Sequence, residues 1–569
     1  MNKEAEMHLS ELSRLNKPRS TFPYNQSIWG TMSVGKLYPL EWIECNPGDT
    51  LTLDISHITR AMTQVVPVMD SSYLDIQAFF VPLRQIWDNW VSMWGENKTG
   101  HWAQPTAYET PQIKLPNGGF KTNSLADVLG IPVNVGTDAD TVNALPIRGY
   151  LKIWNEWYRD ENLQDPCYYH TDETVVTGEN YNANWDYVTD SEKGGALLNV
   201  CRFHDYFSSM LPDLQRGPSV SIPLGDTAPV VGNGMALGLT VGENLNAGLK
   251  MGQISSANGA LAAVTNGYGG DVGTANTSNT APGANLLAGI TTDPEKSGLA
   301  ADLSSALGAT ITQIRQSIAI QHFYEKLAAG GGRYIEYLST IWGTDARDDV
   351  QQRSTYLGGR RFPININQVL QTSSTDNVSP QGNTAAFSCT VDEDDLFTCS
   401  TTEHGYIYIM ACLRTNHSYS QGLARKWSRK GWTDYYVPTF DGITAQDVKN
   451  KEIFFQGAVA GQGKDDEVMG YQEAYADYRM QIDRVFGQMR ATSQDSQGNP
   501  NSLAIWTYQD YYEQLPKLDS QWIQEDGSNL QRTISLQGTE YDQFQCQFYL
   551  KGKFSRVMPT YGVPGVSYI

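Results

Sequence analysis

Long apolar runs are missing from this 569-residue chain. No stretch approaches the roughly 18 apolar residues that a membrane helix needs, so no membrane insertion is expected. The N-terminus, MNKEAEMHLSELSRLNKPRS, has no apolar segment of the signal-peptide kind. Cysteine is sparse. Cys45, Cys167, Cys201, Cys389, Cys399, Cys412 and Cys546 are dispersed and odd in number, with no C-x-x-C pair. That spacing argues against a zinc site. Free thiols in a reducing compartment are the simplest reading, so the chain is expected to be made and to fold in a cytoplasm.

Catalytic signatures are missing too. No nucleophile elbow, phosphate-binding loop, dinucleotide fingerprint or H-E-x-x-H is present. His57, His101, His204, His322 and His404 are scattered without ligand spacing. VDEDDLF (391–397) is acidic enough to suggest calcium, but it lacks the spacing and glycine of an EF-hand loop and reads as a solvated turn. A carboxylate pair of the glycosidase type can hide among 62 acidic residues, and nothing picks one out. Neither a catalytic residue, a cofactor nor a metal is assigned.

Charge is scarce and one-sided: 18% of residues are charged, and the formal net charge is −21. Such a chain cannot neutralise a nucleic acid alone, so any it encloses needs other cations. Aromatics, by contrast, are plentiful, with 31 Tyr and 14 Trp. Short apolar runs between Gly and Pro turns predict a mainly β protein with long decorated loops.

DTLTLDIS alternates Leu51, Leu53 and Ile55 against polar partners. DQFQCQFYLKGKF sets Phe544, Cys546, Phe548 and Leu550 against polar neighbours, as a sheet with one wet face requires. GYIYIMACLR (405–414) is apolar on both faces and predicts a central, covered strand. If these distant strands share a sheet, the two ends of the chain close one domain around inserted material. Residues 1–20 read as an N-terminal arm, with Leu9, Leu12 and Leu15 on a weak amphipathic turn ended by Pro18.

DSSYLDIQAFFVPLRQIWDNW (70–90) predicts a strand followed by a helix. Leu74, Ile76, Ala78 and Phe80 share one strand face, and Pro82 should end the strand. Beyond it, Ile86, Trp87, Trp90, Val91 and Trp94 recur at helical spacing. This stripe reads either as core packing or as a subunit seam. PIRGYLKIWNEWYRD (146–160) and ATITQIRQSIAIQHFYEKLAAGGG (309–332) also predict helices, the second stopped by its glycines. Residues 225–308 are rich in Gly, Ala, Asn and Thr, with one aromatic, Tyr268, and no Arg. They read as a linker or as a surface protrusion carrying a function.

One basic cluster reverses the overall charge. In LARKWSRKGWTDYYVP (423–438), Arg425, Lys426, Arg429 and Lys430 interleave with Trp427, Trp432, Tyr435 and Tyr436. Cations for phosphates and rings for bases suit single-stranded nucleic acid. Pairing with the chain's own acids is the competing reading.

Taken together these motifs resemble the Microviridae major capsid proteins, in their gokushovirus-like branch. FFVPLRQIWDNWVSMWGE carries the resemblance first, followed in order by RGYLKIWNEWYRDENLQD, HDYFSSMLPDLQRGPSVSIPLG, YLGGRRFPININQVLQTSS, TEHGYIYIMACLR, YSQGLARKWSRKGWTDYYVP, NKEIFFQG and VMPTYGVPG. The resemblance implies a single eight-stranded antiparallel jelly roll over 21–569, with very long loops containing short helices. It implies a non-enzymatic homo-oligomer, a T=1 icosahedral shell around circular single-stranded DNA, located in the virion and assembled in the host bacterial cytoplasm. It also implies a scaffolding protein and a small basic DNA-binding protein as partners. The 225–308 insertion, Tyr268 included, would form a protrusion at the three-fold axes facing a host receptor. The alternative is a secreted or surface carbohydrate-active β protein, which would also be acidic and rich in Tyr and Trp.

Overall fold

The computed structural model describes residues 19–96, 108–220, 310–370, 384–440, 442–457, 464–535 and 541–561, and four three-residue strands within 230–301. Of the expected arm over 1–20, residues 1–18 lie outside the described residues, as does Tyr268, and Ser20 already belongs to the first strand. Contacts divide the chain into two units, Met1–Arg216 with Glu325–Ile569, and Gly217–Tyr324. In the second unit, the short strands pair as two antiparallel ribbons, Val230–Gly232 with Leu299–Ala301 and Leu239–Val241 with Leu286–Ala288.

The first unit is built on two four-stranded antiparallel sheets. Its strands are β1 (Ser20–Met32), β2 (Leu37–Cys45), β3 (Thr50–Ala61), β4 (Ser72–Pro82), β5 (Thr355–Ile364), β6 (Thr390–Ser400), β7 (Gly405–Thr415) and β8 (Phe544–Arg556). One sheet runs β1-β8-β3-β6 and the other β5-β4-β7-β2. The first four strands alternate between sheets, β4 and β5 are neighbours, and alternation then resumes. This is the double-sheet jelly roll. The two ends of the chain meet in it, with β1 pairing β8 from Ser20 opposite Arg556 to Met32 opposite Phe544.

The β1-β8-β3-β6 sheet has one dry face. Leu51, Leu53 and Ile55 on β3 are buried beside Phe544, Cys546, Phe548 and Leu550 on β8, while Gln545, Tyr549 and Lys551 are exposed. VDEDDLF is not a turn: it lies in the edge strand β6, with a register shift between Asp395 and Phe397. Asp392 and Asp394 stand opposite the buried His57 and Ile55 of β3 and are themselves half-buried, as an edge strand permits. Leu396 and Phe397 are buried, Glu393 and Asp395 are exposed, and Asp394 pairs with Arg360 at 2.7 Å.

The other sheet is covered on both faces. Leu74, Ile76 and Ala78 sit opposite Leu413, Ala411 and Ile409 of β7, and Phe362, paired with Leu74, meets His57 of the facing sheet at 4.6 Å between ring centroids. The outer face carries Asp75, Gln77, Phe79 and Tyr408, and loop material covers it. The helix Leu145–Ile153 lies on this face with every residue buried. Its Gly149 is required by close approach, because a Cβ there would collide with the Tyr408 hydroxyl. That hydroxyl donates to the Pro146 carbonyl at 2.9 Å.

Helical structure after Pro82 is shorter than its periodicity predicts. A single 3₁₀ turn spans Leu83–Gln85, and α1 covers only Trp90–Met93. Asp88 and Asn89, which compete for backbone hydrogen bonds, interrupt the run. The predicted 146–160 helix forms as α2, Leu145–Ile153, running into a π-helical turn at Trp154–Tyr158. The 309–332 prediction forms as α3, Ile311–Gly330, whose Ile311 and Ile318 are exposed. All seven cysteines are free thiols. No helix among the described residues is long and apolar enough to cross a membrane.

Candidate nucleic-acid interface

The basic cluster stands on a separate small core. Tyr206, Phe207, Met210, Tyr419, Val448, Ile453, Ala476 and Trp522 pack together there. An antiparallel ribbon, Ala445–Lys449 with Val468–Glu473, forms its floor. Residues 425–440 cross this platform in three 3₁₀ turns, Arg425–Trp427, Trp432–Asp434 and Pro438–Phe440. Asp434 closes the segment by accepting the Lys430 and Gly431 N–H groups at 2.7 and 2.8 Å. Those amide bonds hold its carboxyl below the usual range.

The cations divide into two kinds. The guanidinium of Arg425 contacts buried Glu452 at 3.1 Å and donates to the Asp447 carbonyl at 2.6 Å. Arg429 forms an ion pair with Asp477 and lies over the Tyr478 ring at 4.4 Å. These two arginines hold the loop. Lys426 and Lys430 are exposed, as are Trp427 at 74% and Trp432 at 73%. Trp432 stacks on Phe440 at 5.7 Å. Both rings are open to solvent beside the two exposed lysines.

Two grooves are lined in part by this loop. One, of about 480 Å³, brings Lys449 and Lys451 beside Arg425, Arg429 and Lys430. Both lysines reach Asp466, at 3.4 and 2.7 Å. The other, of about 510 Å³, is lined by Tyr436, Phe440, Ile443, Tyr475, Tyr478 and Arg479. Sequence reading missed Lys449, Lys451 and Arg479. The only local signal was the alternation of two lysines in VKNKEI, which does not reveal that the ribbon brings them to the loop.

The tryptophan stripe is graded rather than uniform. Trp87 is fully buried, and its Nε1 donates to Glu173 at 3.0 Å. Trp90 is half-buried, edge-on to Trp87 at 6.1 Å. Trp94 is 62% exposed and stacked on His404 at 5.0 Å.

A buried charge network ties the platform to the jelly roll. His417, next to the end of β7, meets Asp510 through Nδ1 at 2.8 Å and Glu525 through Nε2 at 2.9 Å. Burial opposes its charge, but Glu525 and Asp510 outweigh burial and raise its pKa to about 10. Arg202 completes the set, 2.7 Å from Asp510. Among the described residues no cluster of His, Cys, Asp and Glu is arranged to hold a metal.

Comparison with known proteins agrees with this architecture along nearly the whole chain. Residues 10–566 match the capsid protein (F protein) family. The capsid protein VP1 of Spiroplasma virus 4 is 35% identical over 560 residues, covering 96% of this chain and 95% of that protein. VP1 of Chlamydia phage 1 is 34% identical over 598 residues, covering 98% and 97%, and VP1 of Bdellovibrio phage phiMH2K is 34% identical over 562 residues, also 98% and 97%. These relatives are structural proteins, and the carbohydrate-active alternative falls away. A double-sheet jelly roll and full-length identity to three phage capsid proteins lead to one conclusion: the chain belongs to the capsid protein (F protein) family of Microviridae-type phages and is a major capsid protein, not an enzyme.

Proposed function

We propose that this capsid protein assembles into a T=1 icosahedral shell around circular single-stranded DNA, with the 425–440 surface turned to the genome. The exposed rings of Trp427 and Trp432 beside Lys426 and Lys430 are the observation that carries the DNA contact. Lysines act on phosphates and rings stack on bases, independently of sequence. Arg425 and Arg429 brace the loop that presents them. Because the chain carries −21, a small basic DNA-binding protein supplies the remaining cations, and a scaffolding protein guides assembly. The insertion at 225–308, within the Gly217–Tyr324 unit, is the host-facing protrusion at the three-fold axes.

The experiment separates the two kinds of cation. Lys426→Gln with Lys430→Gln should leave shells able to form but lower their 260/280 nm absorbance ratio, through DNA lost. Arg425→Gln with Arg429→Gln should instead lower the yield of folded protein. Normal DNA content in the lysine variant would refute the genome-facing assignment. Replacing 225–308 by a short Gly/Ser linker should preserve folded shells and abolish infection. Loss of soluble protein would make that segment part of the core.

A further inference from the structure

Away from the basic loop, a cavity of about 680 Å³ opens between the β1–β2 turn and the loops that follow β4 and β7. That volume is in the range of small-molecule sites. Lys36 lines it, with Lys121 at its rim and Trp185 and Tyr181 on one wall. The two rings lie 6.0 Å apart, and Tyr181 is 70% exposed.

The backbone that carries Lys36 is pinned. Gly35 has φ +85, and any Cβ there would collide with the Glu525 carbonyl. Its N–H donates to the Leu413 carbonyl at 2.9 Å, and its own carbonyl accepts from Val200 at 2.8 Å. The lysine therefore sits at a fixed point on the β1–β2 turn. Among the described residues no carboxylate lies within ion-pair distance of it, and burial pushes its ammonium pKa down. Asp542 is the one carboxylate lining the cavity, and it already accepts from Thr31, from Ser33 at 2.7 Å and from Asn123 at 2.9 Å.

The remaining polar lining combines hydroxyls, among them Tyr38, Thr122 and Ser520, with the amides of Asn199 and Gln524. Asn199 donates through Nδ2 to Gln524 at 2.5 Å, which leaves the Asn199 oxygen and the Gln524 amide nitrogen for another partner. A fixed cation without a counter-ion, a stackable ring wall and an amide pair offering one acceptor and one donor describe complementary halves of one ligand. An anion satisfies the first. A flat heterocycle with donors and acceptors on its edge satisfies the other two. A neutral sugar would leave Lys36 desolvated and unmatched.

We propose that this cavity is a nucleotide-binding pocket, with phosphate on Lys36 and Lys121 and the base against Trp185 and Tyr181, its edge on Asn199 and Gln524. The occupant is a free mononucleotide or one unit of a single strand, since the chemistry is the same. The pocket is independent of the 425–440 surface.

Saturation-transfer NMR with dAMP on the unassembled full-length chain tests it, with titration calorimetry giving affinities. Transfer should be strongest to the adenine protons. Lys36→Gln should weaken dAMP roughly tenfold, and Trp185→Ala should lose the base signal with a similar loss of affinity, the scale of one stacked base. Trp185→Phe should restore both. If Trp185→Ala fails to fold, Tyr181→Ala, at an exposed ring, takes its place. Hexa-deoxyadenylate weakened by Lys36→Gln identifies a strand unit; dAMP alone weakened identifies the free nucleotide. The double variant Lys426→Gln/Lys430→Gln should bind dAMP unchanged, and loss there would move the ligand to the basic loop and overturn the proposal. Equal affinity for deoxyadenosine or glucose, or wild-type dAMP binding by both Lys36→Gln and Trp185→Ala, would also overturn it.

Discussion

Replacing the three tryptophans after β4 one at a time should give a steep gradient of destabilisation, because their burial is graded. Trp87 is fully buried in the main core, and its indole donates to Glu173. A tryptophan buries roughly 150–250 Å², worth about 4–6 kcal/mol at 25 cal/mol per Å². Truncation recovers somewhat less as the site relaxes, so Trp87→Ala should cost about 3–5 kcal/mol. Asn89 still donates to Glu173 at 2.6 Å, which limits the carboxylate's loss. Trp94, 62% exposed, has mainly its stacking on His404 to lose, about 1 kcal/mol. Trp90 should fall between. Urea unfolding of the unassembled protein, followed by circular dichroism, measures this order through the shift in midpoint at constant slope. Particle yield measured on the same variants reports any role in the shell. Trp94→Ala with normal stability and poor yield places the outer ring at a subunit seam. A Trp94→Ala loss as large as that of Trp87→Ala would refute the burial argument.

Three further outcomes follow from buried contacts. His417 has its pKa raised from 6.5 to about 10, so its contribution is complete below pH 6.5 and is lost as pH rises toward 10; wild type should lose stability across that window faster than His417→Gln, and equal slopes would refute the charged imidazole. Asp75 is buried and accepts Arg361 at 2.6 Å as well as Arg414, so Asp75→Asn should cost about 3 kcal/mol in urea unfolding, and a change below about 1 kcal/mol would show the cluster to be dispensable. Gly149→Ala should cost about 1–3 kcal/mol by overpacking against Tyr408, and Tyr408→Phe should relieve part of it; a wild-type melt for Gly149→Ala would disprove the close approach.

Period-two alternation made β3 and β8 legible in the sequence, and an unbroken apolar run did so for the central strand β7, because a strand buried on one face must alternate and one buried on both must be apolar throughout. β6 was not legible as a strand. Four consecutive acids, Asp392, Glu393, Asp394 and Asp395, mask its alternation: only Glu393 and Asp395 are exposed, while Asp392 and Asp394 are half-buried at the sheet edge. The helix after Pro82 was overread, because apolar spacing records which residues want burial and not whether the backbone between them stays helical. In the basic loop, composition identified the right segment but not the division of labour within it. Arg425 and Arg429 look identical to Lys426 and Lys430 until Glu452 and Asp477 are brought beneath them.

The chain by itself determined its class, its free thiols, its family resemblance and the place where cations and rings concentrate, since each is a property of neighbouring residues. Only the tertiary structure decided that Ser20 pairs with Arg556, that Lys449 and Lys451 share a groove with the 425–430 cations, and that Lys36 and Trp185 line one cavity. These are juxtapositions across tens to hundreds of positions. They follow from how two sheets pack and where long loops are pinned, and no local period encodes them.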